Sequence, residues 1–393
     1  MPTINRFADL HDDITAWRRD IHEHPELQFD VFRTAGVVEE KLKAFGVDSI
    51  ETGVGHTGVV GVIKGKSNKS GRVIGLRADM DALPMQEMTG LEHASKTPDK
   101  MHACGHDGHT AMLLGAAQYL AETRNFDGTV VVIFQPAEEG GGGGREMVND
   151  GMMDKYDIQE VYGMHNMPGF GVDQFAIRPG PMMAAADLIE IKVTGKGGHA
   201  AMPHKAVDPT VTSAQIVTAM QSIVARNLDP LESLVVSITS FHTDVDTYNV
   251  IPDTVQMKGT VRSYLTEVQD MAEERITAIA TNIATAMGCE AEVTYKRNYP
   301  ATVNSDAHTS MAADVAAGIV GDEKVIRDVA PVMGAEDFSF MLNARPGAFI
   351  FVGNGDTAPV HNPEYDFNDE IIPIGCSYWA KLVETRLAAK TES

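Results

Sequence analysis

Apolar runs and helix-like segments alternate along the first part of the chain. Four runs are almost entirely apolar and short, which is typical of strands buried inside a sheet. Between them, amphipathic spacing predicts helices over 35–42, 108–122 and 145–150. Strands that alternate with helices indicate a layered α/β domain. The predicted strands are 57–65, 72–80, 129–136 and 160–167.

The pattern changes near Pro179 to an order of strand, helix, strand, strand, helix, strand. This β-α-β-β-α-β order is typical of a small ferredoxin-like α+β domain. The α/β pattern then resumes, so we predict a large domain, 1–184 and 298–393, interrupted by a smaller one, 185–297. The elements behind this division are strand 188–193, helix 209–226, strands 234–241 and 254–263, helix 268–287, strand 290–296, helix 306–320, strand 348–352 and helix 374–389.

Composition supports a two-domain globular protein. The chain has 393 residues, 43% hydrophobic and 22% charged, which is too long for one ordinary core. No apolar run approaches the roughly 20 residues that a membrane span requires, and the first residues hold no apolar signal core. Three cysteines do not form a disulfide framework, so we expect a cytoplasmic protein without a membrane partner.

The net charge of −23 makes nucleic acid a poor partner, because an acidic surface repels phosphate. The same field repels small anions at long range. An anionic substrate therefore requires a local basic group.

Cys104 and His106 stand one residue apart in MHACGHDGHT. Thiolate and imidazole are good ligands for zinc-like ions, and Gly105 lets the backbone bend between them. The alternative is a buried free cysteine beside a core histidine. The segment joins a polar loop to an apolar helix, and such junctions are where α/β proteins build sites, which favours the metal. His102 and His109 fit supporting contacts.

Glu138 and Glu139 follow a predicted strand in FQPAEEGGGGGREM. Adjacent carboxylates repel, so one is expected to bind a metal while the other acts as a general base toward water. The alternative is a solvated acidic turn. Five successive glycines cost backbone entropy, and we interpret them as allowing close approach of the backbone to a ligand.

Further candidates lie at strand ends and in loops. His165 ends a predicted strand in VYGMHNMP, and His361 lies in PVHNPEYDFND before the last helix. Alone, each would be an ordinary histidine. Asp79 and Asp81 stand two apart at a strand end, and Asp81 could hold a ligating imidazole in its tautomer. A plain turn is the alternative for both aspartates.

Three candidates fall in the inserted domain. His199 follows two glycines in GKGGHAAMPH, and Asn249 and Arg262 lie on or beside strands. Arg262 is the candidate for a substrate carboxylate, because a guanidinium binds a carboxylate through a bidentate fork. As alternatives, His199 is a surface histidine and Arg262 pairs with a surface acid.

Together these motifs carry a family resemblance. The chain resembles the aminoacylase/carboxypeptidase superfamily of two-metal peptidases, and it looks closest to the N-acyl-amino-acid amidohydrolase branch, which includes hippurate hydrolases and plant auxin-conjugate hydrolases. The resemblance covers nearly the whole chain. The segments that carry it are RRDIHEHPEL, RADMDALPM, MHACGHDGHTAMLLGAA, FQPAEEG, GMHNMPG, GKGGHAAMPH, MGAEDFSF and HNPEYDF.

The resemblance implies an α/β/α metallopeptidase domain with an inserted lid and dimerisation domain, and two divalent ions per subunit. Cys104 would bridge the ions. At the position of Asp79, many relatives outside this branch have a histidine that binds metal. In this chain His106 would bind the metal instead. Thiolate and imidazole permit manganese, zinc, cobalt or nickel. The implied ligands are Cys104, His106, Glu139, His165 and His361.

The resemblance also implies how the remaining candidates act. Glu138 would be the general base, and Asp81 would orient a ligand. His199 would stabilise the oxyanion, while Asn249 and Arg262 would contact the substrate carboxylate. Such enzymes are usually homodimers or homotetramers through the inserted domain.

The implied reaction is hydrolysis of an N-acyl amino acid to a carboxylic acid and a free amino acid. A metallo-dipeptidase or carboxypeptidase on the same scaffold is the alternative. A metal-stabilised binding protein is disfavoured, because structural zinc sites have tightly spaced ligands and these are scattered from 104 to 361. A serine nucleophile is disfavoured because no G-x-S-x-G element occurs, and the neighbours of Cys104 suit coordination better than attack.

Overall fold

The computed structural model describes residues 3–388 and divides them into two units. The large unit comprises 3–182, 302–330 and 337–388, and the small unit comprises 183–301 and 331–336. Two parts of the predictions lie outside the described part of the chain. They are the ends of the predicted large domain, 1–2 and 389–393, and the last residue of the helix predicted over 374–389.

The segment 331–336 belongs to the small unit, although the sequence analysis left it in the large domain. The N–H of Ala184 donates to the carbonyls of Val332 and Gly334. These backbone bonds tie the segment to the beginning of the predicted insertion, 185–297.

The large unit begins with three helices and alternates strands and helices afterwards. Its first part contains α1 Asn5–Asp9, α2 His11–Glu23, α3 Phe32–Phe45, β1 Ser49–Val54, β2 Gly58–Lys64, β3 Val73–Asp79, α4 His106–Thr123, β4 Thr129–Gln135, α5 Gly143–Asn149, α6 Met152–Lys155, β5 Glu160–Met167, β6 Phe175–Ala176 and β7 Gly180–Met183.

The small unit follows, and the chain then returns to the large unit. The small unit contains β8 Ala185–Thr194, β9 Gly198–His199, α7 Pro209–Ser222, β10 Leu234–Thr243, β11 Val250–Ile251, β12 Thr254–Ser263, α8 Thr266–Ala286 and β13 Glu290–Tyr299. The returning part contains β14 Thr302–Asn304, α9 Asp306–Val320, β15 Val325–Ile326, α10 Ser339–Ala344, β16 Gly347–Gly353 and α11 Ile372–Arg386.

The large unit is built on a mixed eight-stranded sheet in the order β1-β2-β4-β3-β5-β16-β6-β15. β3 is parallel to both β4 and β5, and β5 is parallel to β16. Every residue of β3, β4 and β16 is buried, as expected for strands covered on both faces. The carboxyl ends of parallel strands meet at one edge, where α/β proteins place their sites.

The helix α4 lies at the centre of the large unit. Fourteen of its eighteen residues are buried, because apolar residues occur all round it. It packs against α2, α11 and β3. A Cβ at Gly115 would lie 2.5 Å from the Ile14 Cδ1, so glycine lets α2 approach closely. Among the described residues, no helix combines the length and hydropathy that crossing a membrane requires.

The small unit has an antiparallel sheet in the order β10-β12-β8-β13. Burial alternates along β8 and β12, because α7 and α8 cover one face of the sheet. The element order β-α-β-β-α-β agrees with the predicted ferredoxin-like pattern. The predicted fold class, an α/β protein with an inserted α+β part, is confirmed.

Candidate metal centre

Five side chains of the large unit that suit a divalent metal lie together, namely Cys104 and four side chains around its sulfur atom. The Cys104 Sγ lies 3.3 Å from the Nε2 of His165, and with His106 these residues offer ligand atoms within 4.8 Å of one another. Cys104 forms a second such group with Glu139 and His361. The thiol of Cys104 therefore belongs to both groups.

A single glycine brings the thiol to this position. Gly105 has φ +90°, and a Cβ there would lie 2.1 Å from the Asn166 Nδ2. Only glycine tolerates both this backbone conformation and this close approach. The helix α4 begins at the next residue, His106, so the bend separates the two ligand-type side chains.

Two imidazoles each have one nitrogen fixed and the other left for a ligand. The Nδ1 of His106 donates to the Asp81 carbonyl at 2.8 Å, and its buried Nε2 has no hydrogen-bond partner among the described residues. The Nδ1 of His165 donates to the Asn166 carbonyl at 2.6 Å, which leaves Nε2 beside Cys104. Such bonds fix the tautomer of a metal-binding histidine, so these donors fit a divalent cation.

His361 and Glu139 lie on the other side of the thiol. The His361 Nε2 is 3.2 Å from the Glu139 Oε1. The backbone of His361 has φ +62°, which is uncommon outside glycine, and its N–H donates to the Ala103 carbonyl at 2.7 Å. The His361 side chain is 53% exposed, so this side of the centre is open to solvent.

The centre attracts positive charge. Burial lowers the pKa of His106, but the Asp79 carboxylate outweighs it, and the pKa lies well above its ordinary value. Hydrogen bonds with Cys104 and Glu139 raise the pKa of His361 to about 10. Burial raises the pKa of the Cys104 thiol, and the charge of Glu139 adds to this. The field that holds these protons suits a metal cation, which displaces protons when it binds.

Glu138 lies beside the five ligand-type side chains. It is buried, and its carboxylate lies within 4.8 Å of ligand atoms of His106 and Glu139. Asp81 accepts the N–H of Glu138 at 2.9 Å and the N–H of Glu139 at 3.1 Å. The sequence predicted that Asp81 orients an imidazole. Its backbone carbonyl makes that contact with His106, while its carboxylate orients the two glutamates.

Two of the glycines after Glu139 are required by close packing against protein atoms. A Cβ at Gly143 would lie 1.7 Å from the Pro136 carbonyl oxygen, and one at Gly144 would lie 2.8 Å from the Asp337 carbonyl oxygen. The N–H of Gly144 also donates to the Asp337 carboxylate at 2.8 Å. Close contact with protein atoms therefore accounts for these two glycines, where the sequence analysis expected contact with a ligand.

The other candidates of the large unit support this centre. The Nδ1 of His109 donates to Asp79 at 2.6 Å, and its Nε2 accepts the N–H of Asn166 at 2.9 Å. Both ring nitrogens of His109 are therefore engaged by protein. Asp79 also accepts from Arg77 at 2.7 Å. Burial lowers the pKa of His102 to about 3, so this ring is neutral.

Sequence reasoning missed two residues that join the ligand-bearing segments. The Nδ2 of Asn166 donates to the Cys104 carbonyl at 2.6 Å, and its Oδ1 accepts the Tyr365 hydroxyl at 2.7 Å. The one signal in the sequence is proximity, since Asn166 follows His165 and Tyr365 follows His361 by four residues.

In the small unit, two of the three predicted residues lie together. His199 in β9 pairs with Val250 in β11, and the N–H of Ala200 donates to the Asn249 carbonyl at 3.0 Å. The side chains of His199 and Asn249 are both exposed. A short ribbon therefore presents an imidazole and an amide to its surroundings.

Arg262 lies in β12, on the separate four-stranded sheet, and is half-buried. Its guanidinium donates to the Thr260 hydroxyl and to the Val261 carbonyl. It forms no ion pair with a described carboxylate, although Asp187 is close enough to oppose the lowering of its pKa by burial. The guanidinium therefore retains capacity for an anion.

Fold and site define a class of protein, an α/β protein with a candidate metal centre at the edge of a mixed sheet. The chain belongs to peptidase family M20/M25/M40, whose family model matches residues 75–385. This confirms the predicted membership of the two-metal peptidase superfamily.

Relatives span almost the whole chain. Hippurate hydrolase of Campylobacter jejuni is 44% identical over 97% of this chain and 98% of its own. IAA-amino acid hydrolase ILR1-like 4 of Arabidopsis thaliana is 40% identical over 97% of this chain and 87% of its own. The crystal structure of Bacillus subtilis YXEP protein, a dinuclear metal binding peptidase from M20 family, matches with a TM-score of 0.83 at 33% identity, over 97% of this chain and 99% of that chain. The predicted class of enzyme, a metal-dependent amidohydrolase, is confirmed.

Proposed function

We propose that the protein hydrolyses the amide bond of N-acyl amino acids, giving a carboxylic acid and a free amino acid. The observation that carries the proposal is the convergence of four ligand-type side chains on the thiol of Cys104, with the Glu138 carboxylate beside them. The similarity to a hippurate hydrolase and to an IAA-amino acid hydrolase supports this class of substrate, a small molecule with an acyl and an amino-acid half.

Two divalent cations per subunit are the cofactor that these side chains fit. His106 and His165 would hold one, Glu139 and His361 would hold the other, and Cys104 would bridge them. Thiolate and imidazole accept manganese, zinc, cobalt or nickel, so availability decides the identity. When bound, the cations supply Lewis-acid activation of water and of the amide carbonyl.

Glu138 is the group that handles protons in this proposal. Its carboxylate accepts a proton from the attacking water and delivers it to the leaving nitrogen. The hydrogen bonds from the Glu138 and Glu139 N–H groups to Asp81 hold the backbone of both residues in place beside the centre. In this arrangement one glutamate, Glu139, would bind a cation, and the other, Glu138, would exchange protons.

The small unit supplies the remaining groups. Arg262 and Asn249 bind the carboxylate of the amino-acid half, because a guanidinium without an ion pair suits this group. His199 donates a hydrogen bond to the oxyanion of the tetrahedral intermediate. The net charge of −23 supports the role of Arg262, since an anionic substrate requires a local cation.

We further propose a cytoplasmic homodimer or homotetramer that assembles through the small unit. The strand β10 forms an edge of the four-stranded sheet, and an edge strand offers unpaired backbone groups to a second chain. Phe241 on this strand and Val250 are large exposed apolar residues. Cys104, Cys289 and Cys376 are free and buried, which fits a reducing compartment.

The test is a substrate panel on metal-reconstituted protein. Benzoyl-glycine and other N-acyl amino acids are compared with free dipeptides, with each divalent metal supplied in turn. We expect N-acyl amino acids to be hydrolysed faster, and a chelator to abolish turnover while circular dichroism shows the fold retained. Preferential cleavage of free dipeptides would instead identify a dipeptidase or carboxypeptidase, and full turnover after metal removal would contradict the metal mechanism.

A further inference from the structure

A cavity of about 420 Å³ in the large unit adjoins the metal centre. This volume lies within the roughly 300–1,000 Å³ that small-molecule sites occupy. Glu139 forms part of its wall and also belongs to the group around Cys104. The cavity therefore opens beside the place where a substrate carbonyl would react.

Four of the residues that line the cavity are apolar. The ring of Phe29 is fixed by an edge contact with His56, at 4.7 Å between ring centroids, and the Thr57 hydroxyl donates to the Phe29 carbonyl at 2.8 Å. A fixed aromatic wall gives a flat apolar group a defined contact surface. The four apolar residues are Leu27, Phe29, Ala82 and Pro84.

Backbone contacts link the walls of the cavity to the reacting groups. Leu27 forms a parallel bridge with Ala82, and Ala82 directly follows Asp81, which holds the N–H groups of both glutamates. The side-chain amide of Gln28 donates to the Glu139 carbonyl at 3.4 Å. The turn that carries Phe29 is thereby held in a defined place beside the centre.

The charged residues of the wall determine which half of a substrate fits. Glu139 is assigned to a cation, so Asp30 supplies the carboxylate that faces a substrate, and none of the residues lining the cavity carries a cationic side chain. Asp30 is exposed and forms no ion pair with the described residues, so its charge acts on whatever enters. An anionic group would be repelled, whereas a neutral apolar group would gain contact with Phe29.

We propose that this cavity binds the acyl group of the substrate and that it selects neutral, apolar acyl groups such as aromatic or alkyl chains. This inference rests on the proposed function, and it goes further by assigning one half of the substrate to named residues. The carboxylate of the amino-acid half is excluded from the cavity by Asp30 and is bound elsewhere.

Two variants test the assignment on the full-length, metal-loaded protein. Phe29→Ala should lower the ratio of kcat/KM for benzoyl-glycine over acetyl-glycine about tenfold, because an apolar contact in a pocket is worth about this factor. Asp30→Lys should raise the ratio for succinyl-glycine over benzoyl-glycine roughly fivefold, as a charge on the rim of a site does. Neither variant should change the relative rates of benzoyl-glycine, benzoyl-alanine and benzoyl-leucine.

Matched controls lie on α3, outside the cavity. Phe32→Ala removes a ring that is 70% exposed, and Glu40→Lys makes the same change of charge as Asp30→Lys at an exposed position. Both should leave the acyl preference unchanged. If Phe29→Ala does not fold, Phe29→Leu takes its place. The Asp30→Lys test does not depend on this outcome, because Asp30 is exposed.

Failure of this inference and failure of the proposed function give different results. Wild-type protein that hydrolyses no member of the panel contradicts the proposed function. Binding of benzoate and of succinate can be measured by calorimetry without turnover. If the wild type is inactive, comparing these affinities between the wild type and the two variants still shows whether Phe29 and Asp30 discriminate between acyl groups. If the wild type is active, two results would overturn the assignment of the cavity. One is a change of amino-acid preference in the Phe29 or Asp30 variant, and the other is an acyl preference that neither variant changes.

Discussion

His106 and Asp107 are neighbours at the beginning of α4, yet they belong to two different clusters of charged residues. His106 faces the thiol of Cys104, and its Nε2 has no hydrogen-bond partner among the described residues. Asp107 accepts from the Nδ1 of His22 at 2.9 Å and from Arg18 at 3.3 Å. Both clusters are rich in histidine and acid, but only the cluster around Asp107 contains a guanidinium, that of Arg18.

The difference separates a binding site from a structural support. In the cluster around Asp107, Arg18 also pairs with Asp369 at 2.8 Å, and His22 lies 3.4 Å from Glu87. Cations and anions alternate there, so each buried charge is compensated. In the two groups that share Cys104, the positive charge comes from the protonated imidazoles of His106 and His361. Such protons can be displaced by a metal cation, whereas the charge of Arg18 cannot, and this difference indicates a metal site.

Removal of the shared thiol gives the largest expected effect. Cys104→Ala should lose metal occupancy and reduce turnover to background, because the thiol belongs to both ligand groups. Elemental analysis of the purified protein measures the metal. Cys376→Ala is the matched control, since this buried thiol contacts the Met112 carbonyl instead and should keep the metal. Two ions at wild-type stoichiometry in the Cys104 variant would show that the bridging role is wrong.

The two adjacent glutamates should give opposite results. Glu138→Gln should keep its metal and lose about 10²–10⁴ in kcat, the usual contribution of a general base. Glu139→Gln should lose metal instead, because its carboxylate belongs to the group with Cys104 and His361. Steady-state kinetics and elemental analysis on both variants distinguish the roles. Full turnover in Glu138→Gln contradicts its function as a base.

The fold was predictable where apolar residues form long runs. The strands β5 and β12 have the predicted bounds, β2 and β3 are one residue shorter at each end, and β4 ends one residue earlier than predicted. For β2, β4 and β5 the reason is that a strand covered on both faces is apolar along most of its length, whereas buried and more exposed residues alternate along β12. The helix α2 was not predicted, because its buried face contains the polar side chains of Arg18 and His22 besides apolar residues. Its Arg18 and His22 are buried only through partners far along the chain.

The site was predictable in its ligand types and less so in its supports. Cysteine, histidine and glutamate at strand ends indicate metal binding by their chemistry. Asparagine and tyrosine have no such preference, so proximity to His165 and His361 was the one sign of Asn166 and Tyr365, and it did not reveal their hydrogen bond across 199 positions. The separation of His106 from Asp107 also depends on the helix, which turns successive side chains by about 100°.

The cluster around Asp107 should make stability depend on pH. Burial lowers the pKa of His22, but the carboxylates of Asp107 and Glu87 outweigh it and raise the pKa to about 9 from 6.5. The folded state therefore holds this proton more tightly than the unfolded state. The stabilisation is fully present below pH 6.5 and is lost as pH rises through about 9, at a cost of up to about 3 kcal/mol.

Chemical denaturation of the metal-loaded protein at several pH values measures this effect. The free energy of unfolding should fall between neutral pH and about pH 10 in the wild type, and this fall should be smaller in His22→Gln. His24→Gln, which changes a partly exposed histidine two residues away, serves as the control and should keep the wild-type slope. Equal slopes in wild type and His22→Gln would mean that this histidine is not held protonated by its neighbours.

The smallest expected effect concerns the residues that join the ligand segments. Tyr365→Phe removes the hydroxyl that donates to the Asn166 Oδ1 at 2.7 Å. Asn166 then holds the Cys104 carbonyl less firmly, so metal affinity should fall about tenfold, at the lower end of what supporting residues contribute. Tyr378→Phe is the control, because it removes a buried hydroxyl from α11 without altering this link. Metal titration by calorimetry measures both. Unchanged affinity in Tyr365→Phe, or an equal loss in Tyr378→Phe, would show that the Asn166 link does not set the geometry of the metal centre.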